Sequence, residues 1–137
     1  MSVQAQFRLL RIVLFFCAIA WGISLFGVFA SWDAATDALR GLGAREIAYD
    51  RMLDYWLRMA AGAFALVGVG YLMVAVNPRK YAAILHWFGW LMILEGAVLL
   101  VHGFRLGLPP FPFYGDVTAC FAGGGAILLL RKSASSG

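Results

Sequence analysis

Four side chains in this sequence stand where ordinary burial would not put them, within or beside long apolar runs: Arg58, Glu95, His102 and Asp116. Glu95 and His102 belong to LMILEGAVLLVHGFR, residues 91–105, whose other members up to Phe104 are apolar or glycine. On a helix, at about 100° per residue, positions seven apart fall almost in line, so Phe88, Glu95 and His102 form one stripe. Two carboxyls, an imidazole and a guanidinium are the groups with which a helical bundle relays protons, holds a polar ligand or locks its helices in register.

Glu95 poses the sharpest problem. A charged side chain at mid-bilayer is disfavoured by about 2.5–3.5 kcal/mol on insertion scales. Either the carboxyl is protonated or a cation accompanies it. His102 is two turns away, about 10 Å along the axis, too far for direct contact. Arg58 has the reach, and Asp116 can join from the start of the last apolar segment. A polar cluster of Arg58, Glu95, His102 and Asp116 in the outer half of the protein is therefore expected, for binding or proton relay.

Each member also has a plainer reading. Arg58 follows Asp54 by four residues, acid first, the better orientation for a helix pair, and it can snorkel to the interface. Asp116 can cap the helix that follows it. His102 is close to the interface, where a neutral imidazole is cheap. His86 lies on the opposite side of its helix from Glu95, near the other rim, and reads as interfacial. For Glu95, a functional acid and a structural pair with Arg58 stay open together.

Other chemistry finds little support. His86 and His102 are sixteen residues apart on one helix, about 24 Å, so they cannot share one haem within a single chain. A di-iron site wants several carboxylates across helices, and Glu95 alone is truly intramembrane. No P-loop, GxGxxG, HExxH or GxSxG is present. No cofactor and no metal are expected, and a non-enzyme is expected over an enzyme. Cys17 and Cys120 fall at different depths, in the inner half of the first span and near the outer end of the last. A disulfide needs its Cα atoms within about 7 Å, so two structural thiols are expected.

The elements that must carry these residues are membrane spans. Hydrophobic residues make up 63% of the 137 and charged residues 13%, with a mean hydropathy of +0.82, against about half and a quarter in soluble domains. Four apolar segments emerge in one domain, at about 12–30, 55–76, 81–104 and 114–130, and the first three reach or approach the roughly 20 residues that cross a bilayer. The fourth is short, so it begins within PFPFYG or sits where the bilayer is thinned. Val28-Phe29-Ala30 loosely fits a signal-peptide cleavage site, but the apolar stretch before it is longer than the usual 7–15 residues, and it is read as a span.

Spacing and charge then set the arrangement. The expected fold is all-α, an antiparallel four-helix bundle with a short interfacial helix between spans 1 and 2. Ser31 caps that helix, which Gly41 and Gly43 end, and from Ala44 the apolar positions return at helical spacing. RLGLPPFPFYGD, with three prolines, cannot be helix throughout. One side holds Arg8, Arg11, Arg79, Lys80, Arg131 and Lys132 and no acid; the other holds Arg40, Arg45, Arg51 and Arg105 among its acids. Both termini are accordingly expected in the cytoplasm, the net charge of +4 reflecting that rim and not nucleic-acid binding. Gly89, Gly96 and Gly103 form a second stripe beside Glu95, a groove for another helix. Ala61, Ala65 and Gly68, and the AGGGA run at 122–126, read as close packing.

The layout also resembles a family. Four spans, YWLRMAAGAF with Arg58 and Gly62 early in the second, the NPRKY turn and a third span leading into GLPPFPFYGD look like the DoxX-like group of small bacterial four-helix membrane proteins. The glutamate of that group at the start of the second span is replaced here by Asp54, Tyr55 and Trp56. The resemblance implies a four-helix bundle of the bacterial inner membrane, sometimes an accessory subunit of membrane redox complexes, and implies no catalytic residue. Three functions stay open: an accessory or scaffolding subunit without its own catalysis, tolerant of Glu95→Gln; a proton-coupled small-molecule transporter in which Glu95 titrates; and a lipid- or quinone-binding protein. Its partners would be the lipid bilayer and a second copy or a larger membrane complex.

Overall fold

The computed structural model describes residues 2–135, and among them the regular structure is helical throughout, with no strand. The elements are α1 (Val3–Gly22), α2 (Leu25–Phe29), α3 (Trp32–Gly41), α4 (Arg51–Val76), α5 (Ala82–Leu106), α6 (Pro110–Leu130) and α7 (Lys132–Ser135). Four stretches are long and apolar enough to cross a membrane: Val3–Phe29, Arg51–Val76, Ala82–Leu106 and Pro110–Ser135, of 27, 26, 25 and 26 residues. Their exterior is apolar to match. Phe26, Leu66, Trp87 and Leu129 are all exposed, which suits acyl chains and would be costly in water.

The first stretch is broken just past Gly22, the last residue of α1. At Ile23 and Ser24 the ladder tightens, with Ser24 N–H donating to the Trp21 carbonyl and Gly27 N–H to the Ser24 carbonyl. The Ser24 hydroxyl stands 2.6 Å from the Trp21 carbonyl and 3.1 Å from that of Ala61. Protein groups thus satisfy backbone that lipid could not.

Ser31 caps α3 as its type predicts, its hydroxyl accepting from Ala34 N–H at 3.2 Å. Replacing it with alanine should cost about 1 kcal/mol of local stability, read as faster amide exchange across α3 with the long helices unchanged. The expectation of helix from Ala44 is corrected: residues 44–50 form no helix. Gly43, at φ 97°, turns the chain back so that Ala44 N–H meets the Leu39 carbonyl. Asp50 then supplies the cap that Ala44–Tyr49 lacks, its carboxylate accepting from Leu53 N–H at 2.8 Å, and α4 begins at Arg51.

Gly107 closes α5 in the left-handed conformation at φ 60°, the usual role of glycine after a helix. Beyond it, α6 begins at Pro110, with Phe111 non-helical at φ −107°, ψ 132° and a cis Phe111–Pro112 bond. The proline-rich connection is thus irregular at its start, and the last long helix begins within PFPFYG. The fourth stretch is as long as the others.

By internal contacts the chain forms two compact units, Ala18–Gly70 and the chain on either side of it. In the flanking unit, α5 and α6 pack antiparallel along the glycine stripe. A Cβ on Gly89 would meet Leu128 and the Gly124 carbonyl, one on Gly96 would meet Cys120, and one on Gly103 would fall on the Phe113 ring. All three glycines are buried. Leu10, Leu14, Val74, Leu85 and Ile127 fill the core of this unit. In the Ala18–Gly70 unit, Gly68 lies against the backbone of Gly22 and Ala18, and Gly27 against Ala61. Trp21 and Phe64 meet at a tilt of 53° with ring centroids 5.2 Å apart.

Candidate functional site

Arg58 is the best-anchored of the four candidate residues. One nitrogen of its guanidinium donates to Asp54 at 2.7 Å and another to the Gly27 carbonyl at 2.7 Å. The Arg58 and Asp54 side chains are only 23% and 28% exposed. The helix-pair reading therefore describes it, with an addition: the broken first stretch presents a carbonyl that the spare guanidinium nitrogens satisfy. These partners all belong to the Ala18–Gly70 unit.

The other three candidates belong to the flanking unit. Glu95 is half-buried on α5, on the stripe of Phe88, whose ring meets Tyr71 edge-on at 4.9 Å between centroids. Among the described residues no hydrogen bond or ion pair reaches its carboxyl. Cys120, whose Cβ sits on Gly96, lies within electrostatic reach of both Glu95 and Asp116. Asp116 is exposed within α6, well past its first residue, and its carboxylate caps nothing; Pro109 takes the cap position because α6 starts earlier than its polar residue suggests. His102 is exposed on α5.

Two groupings were missed by sequence reasoning. His86 Nδ1 stands 2.7 Å from an Arg131 guanidinium nitrogen, while Arg131 Nε donates to the Leu128 carbonyl. Arg11 donates to the Ala75 carbonyl, and the Arg79 guanidinium lies 5.0 Å over the Phe7 ring. The rim cations therefore brace helix ends as well as carrying charge. No spacing rule would pair residues 86 and 131.

The second missed grouping is buried and sulfur-rich. The Cys17 thiol donates to Met92 Sδ at 3.8 Å, and the Tyr71 hydroxyl lies 3.4 Å from the same sulfur. A Cβ on Gly123 would meet Met92 Sδ at 3.1 Å and Cys17 Sγ at 3.4 Å. Cys17 and Cys120, both free and buried, are thus gathered around the same stretch of α5 and not held at different depths. The reason is where the helices begin: α1 at Val3 and α6 at Pro110 bring both cysteines toward the middle of their stretches.

Four apolar helices of spanning length with an apolar exterior and a few interior polar groups define a multi-pass helical membrane protein. Comparison with family models, with curated proteins and with solved structures returns no match.

Proposed function

We propose that this chain is an accessory or scaffolding subunit of a larger membrane complex, without catalysis of its own. The observation that carries the reading is the state of Glu95. A half-buried carboxyl on an apolar helix has no hydrogen-bond or ion-pair partner among the described residues, and Arg58, the cation the sequence offered it, donates to Asp54 and Gly27. A polar group left unpaired at membrane depth costs several kcal/mol, roughly. A donor on a neighbouring transmembrane chain removes that cost and makes the contact selective.

The reading places the chain in a bacterial inner membrane as an antiparallel four-span bundle, both termini cytoplasmic and α3 lying in the outer interface. The acid-free rim of Arg8, Arg11, Arg79, Lys80, Arg131 and Lys132 supports that orientation. Kinship with the DoxX-like group is part of the same proposal, supported by four long apolar helices and the tight NPRKY turn.

The test compares two substitutions in native membranes. Glu95→Gln keeps a hydrogen-bonding side chain and should keep the partner on gentle solubilisation. Glu95→Leu removes it and should release the partner while the chain stays folded. Equal retention by both variants would dismiss the reading. A pH-dependent flux in proteoliposomes, lost in Glu95→Gln, would replace it with the carrier; ordered lipid or quinone beside Glu95 would replace it with the ligand-binding protein.

A further inference from the structure

The sulfur cluster is used by none of the foregoing. Its four members come from separate helices, Cys17 on α1, Tyr71 on α4, Met92 on α5 and Cys120 on α6, and each is at most 5% exposed. Among the described residues no three histidine, cysteine or carboxylate side chains gather as a metal site would need, so the donor set of zinc or of a hard cation is not offered. Thiol and thioether donors are a different set. They select soft ions, copper(I) foremost.

We propose that Cys17 and Met92 form a binding site for a soft monovalent metal ion of the copper(I) class, with the Cys120 thiol at its edge.

Three observations converge on it. The first is distance: two sulfurs sharing one ion at about 2.3 Å each, with the ion off the line between them, stand about 4 Å apart, and Cys17 Sγ and Met92 Sδ are 3.8 Å apart. The second is the glycine beside the pair. Gly123 puts no side chain against the two sulfurs, and a Cβ there would stand 3.1 Å from Met92 Sδ and 3.4 Å from Cys17 Sγ. The third is charge. Binding replaces the Cys17 S–H bond with an S–metal bond and releases one proton to solvent, with no change of oxidation state. A monovalent cation on one thiolate and one thioether is neutral overall, the form a low-dielectric interior tolerates. A divalent ion there would leave a net charge. The Tyr71 hydroxyl, 3.4 Å from Met92 Sδ, holds the thioether in place.

The experiment titrates the reduced, full-length protein in nanodiscs with copper(I) against a chromophoric copper(I) chelator. The wild type should take up a single equivalent per chain with release of a proton. Cys17→Ser should weaken uptake by about a hundredfold or more, and Met92→Leu, which keeps side-chain volume and so keeps the fold, by about tenfold. Absence of uptake by the wild type would overturn the proposal. So would uptake unchanged in Met92→Leu, or uptake lost in Cys120→Ser while Cys17→Ser retains it, since the ion would then sit on the other thiol. This inference stands apart from the subunit reading: metal uptake is measured on the isolated chain, and partner retention on the complex.

Discussion

Gly68→Ala lowers the thermal stability of the solubilised protein, by about 2–3 kcal/mol, although alanine is the better helix former by about 1 kcal/mol. A Cβ at this position would stand 2.5 Å from the Gly22 nitrogen, 2.6 Å from the Gly22 Cα and 3.0 Å from the Ala18 carbonyl oxygen. Those atoms are backbone, and no side-chain rotation can clear them. The helices carrying residues 18–22 and 68 must part, and the Trp21–Phe64 ring contact loosens with them. Gly125→Ala is the matched control. Its Cβ meets nothing within 4 Å, so helix propensity alone acts and stability should hold or rise by up to about 1 kcal/mol. Thermal unfolding of the two variants in one detergent checks both, and a Gly68→Ala protein as stable as wild type would sink the argument.

Arg58→Leu is the second large effect. Removing the guanidinium leaves the Asp54 carboxylate without its cation and the Gly27 carbonyl without its donor, both from contacts of 2.7 Å. Breaking a fully buried ion pair from one side costs about 3–5 kcal/mol. With about a quarter of each side chain exposed, water screens part of that, and a loss of about 2 kcal/mol is expected. The double variant Asp54→Leu, Arg58→Leu should recover part of it, because no orphaned charge remains. Arg58→Lys should recover less than full stability, since one ammonium lacks the planar fork that serves two acceptors at once. Chemical unfolding of the three variants measures the order. A double variant less stable than Arg58→Leu would contradict it.

What could be read from the sequence was whatever depends on one helix at a time. The stripe of Gly89, Gly96 and Gly103 is such a feature: a seven-residue repeat needs only helical geometry to be seen, and a stripe without side chains has to meet another helix. Asp54 and Arg58 at i and i+4 are another, as is Ser31 before α3. Where two distant segments decide the outcome, the pattern was silent. The Gly27 carbonyl that holds Arg58 lies just past the break that follows Gly22, and one glycine in an apolar run does not say which distant side chain the break will serve. The first helix starts at Val3 and not at Ile12, because Arg8 and Arg11 read as a boundary that the helix in fact runs through. Backbone hydrogen bonding continues past a cation at a membrane rim, and prolines are tolerated in a first turn. That displacement hid the meeting of Cys17 with Met92, where the Tyr71 hydroxyl also points. Ala44–Asp50 failed the other way: periodicity suggested a helix, and the left-handed Gly43 with the Asp50 cap prevented one.

The lengths of the four apolar stretches, 25 to 27 residues, carry a last consequence. At 1.5 Å per residue the unbroken α4 and α5, of 26 and 25 residues, measure about 38–39 Å, while the hydrocarbon layer of an ordinary bilayer is about 30 Å. The surplus is absorbed by leaning from the bilayer normal or by letting charged ends stand among the headgroups. Long-chain lipids relieve that mismatch and short-chain lipids aggravate it, so the chain belongs in the thicker membrane of any two it is offered.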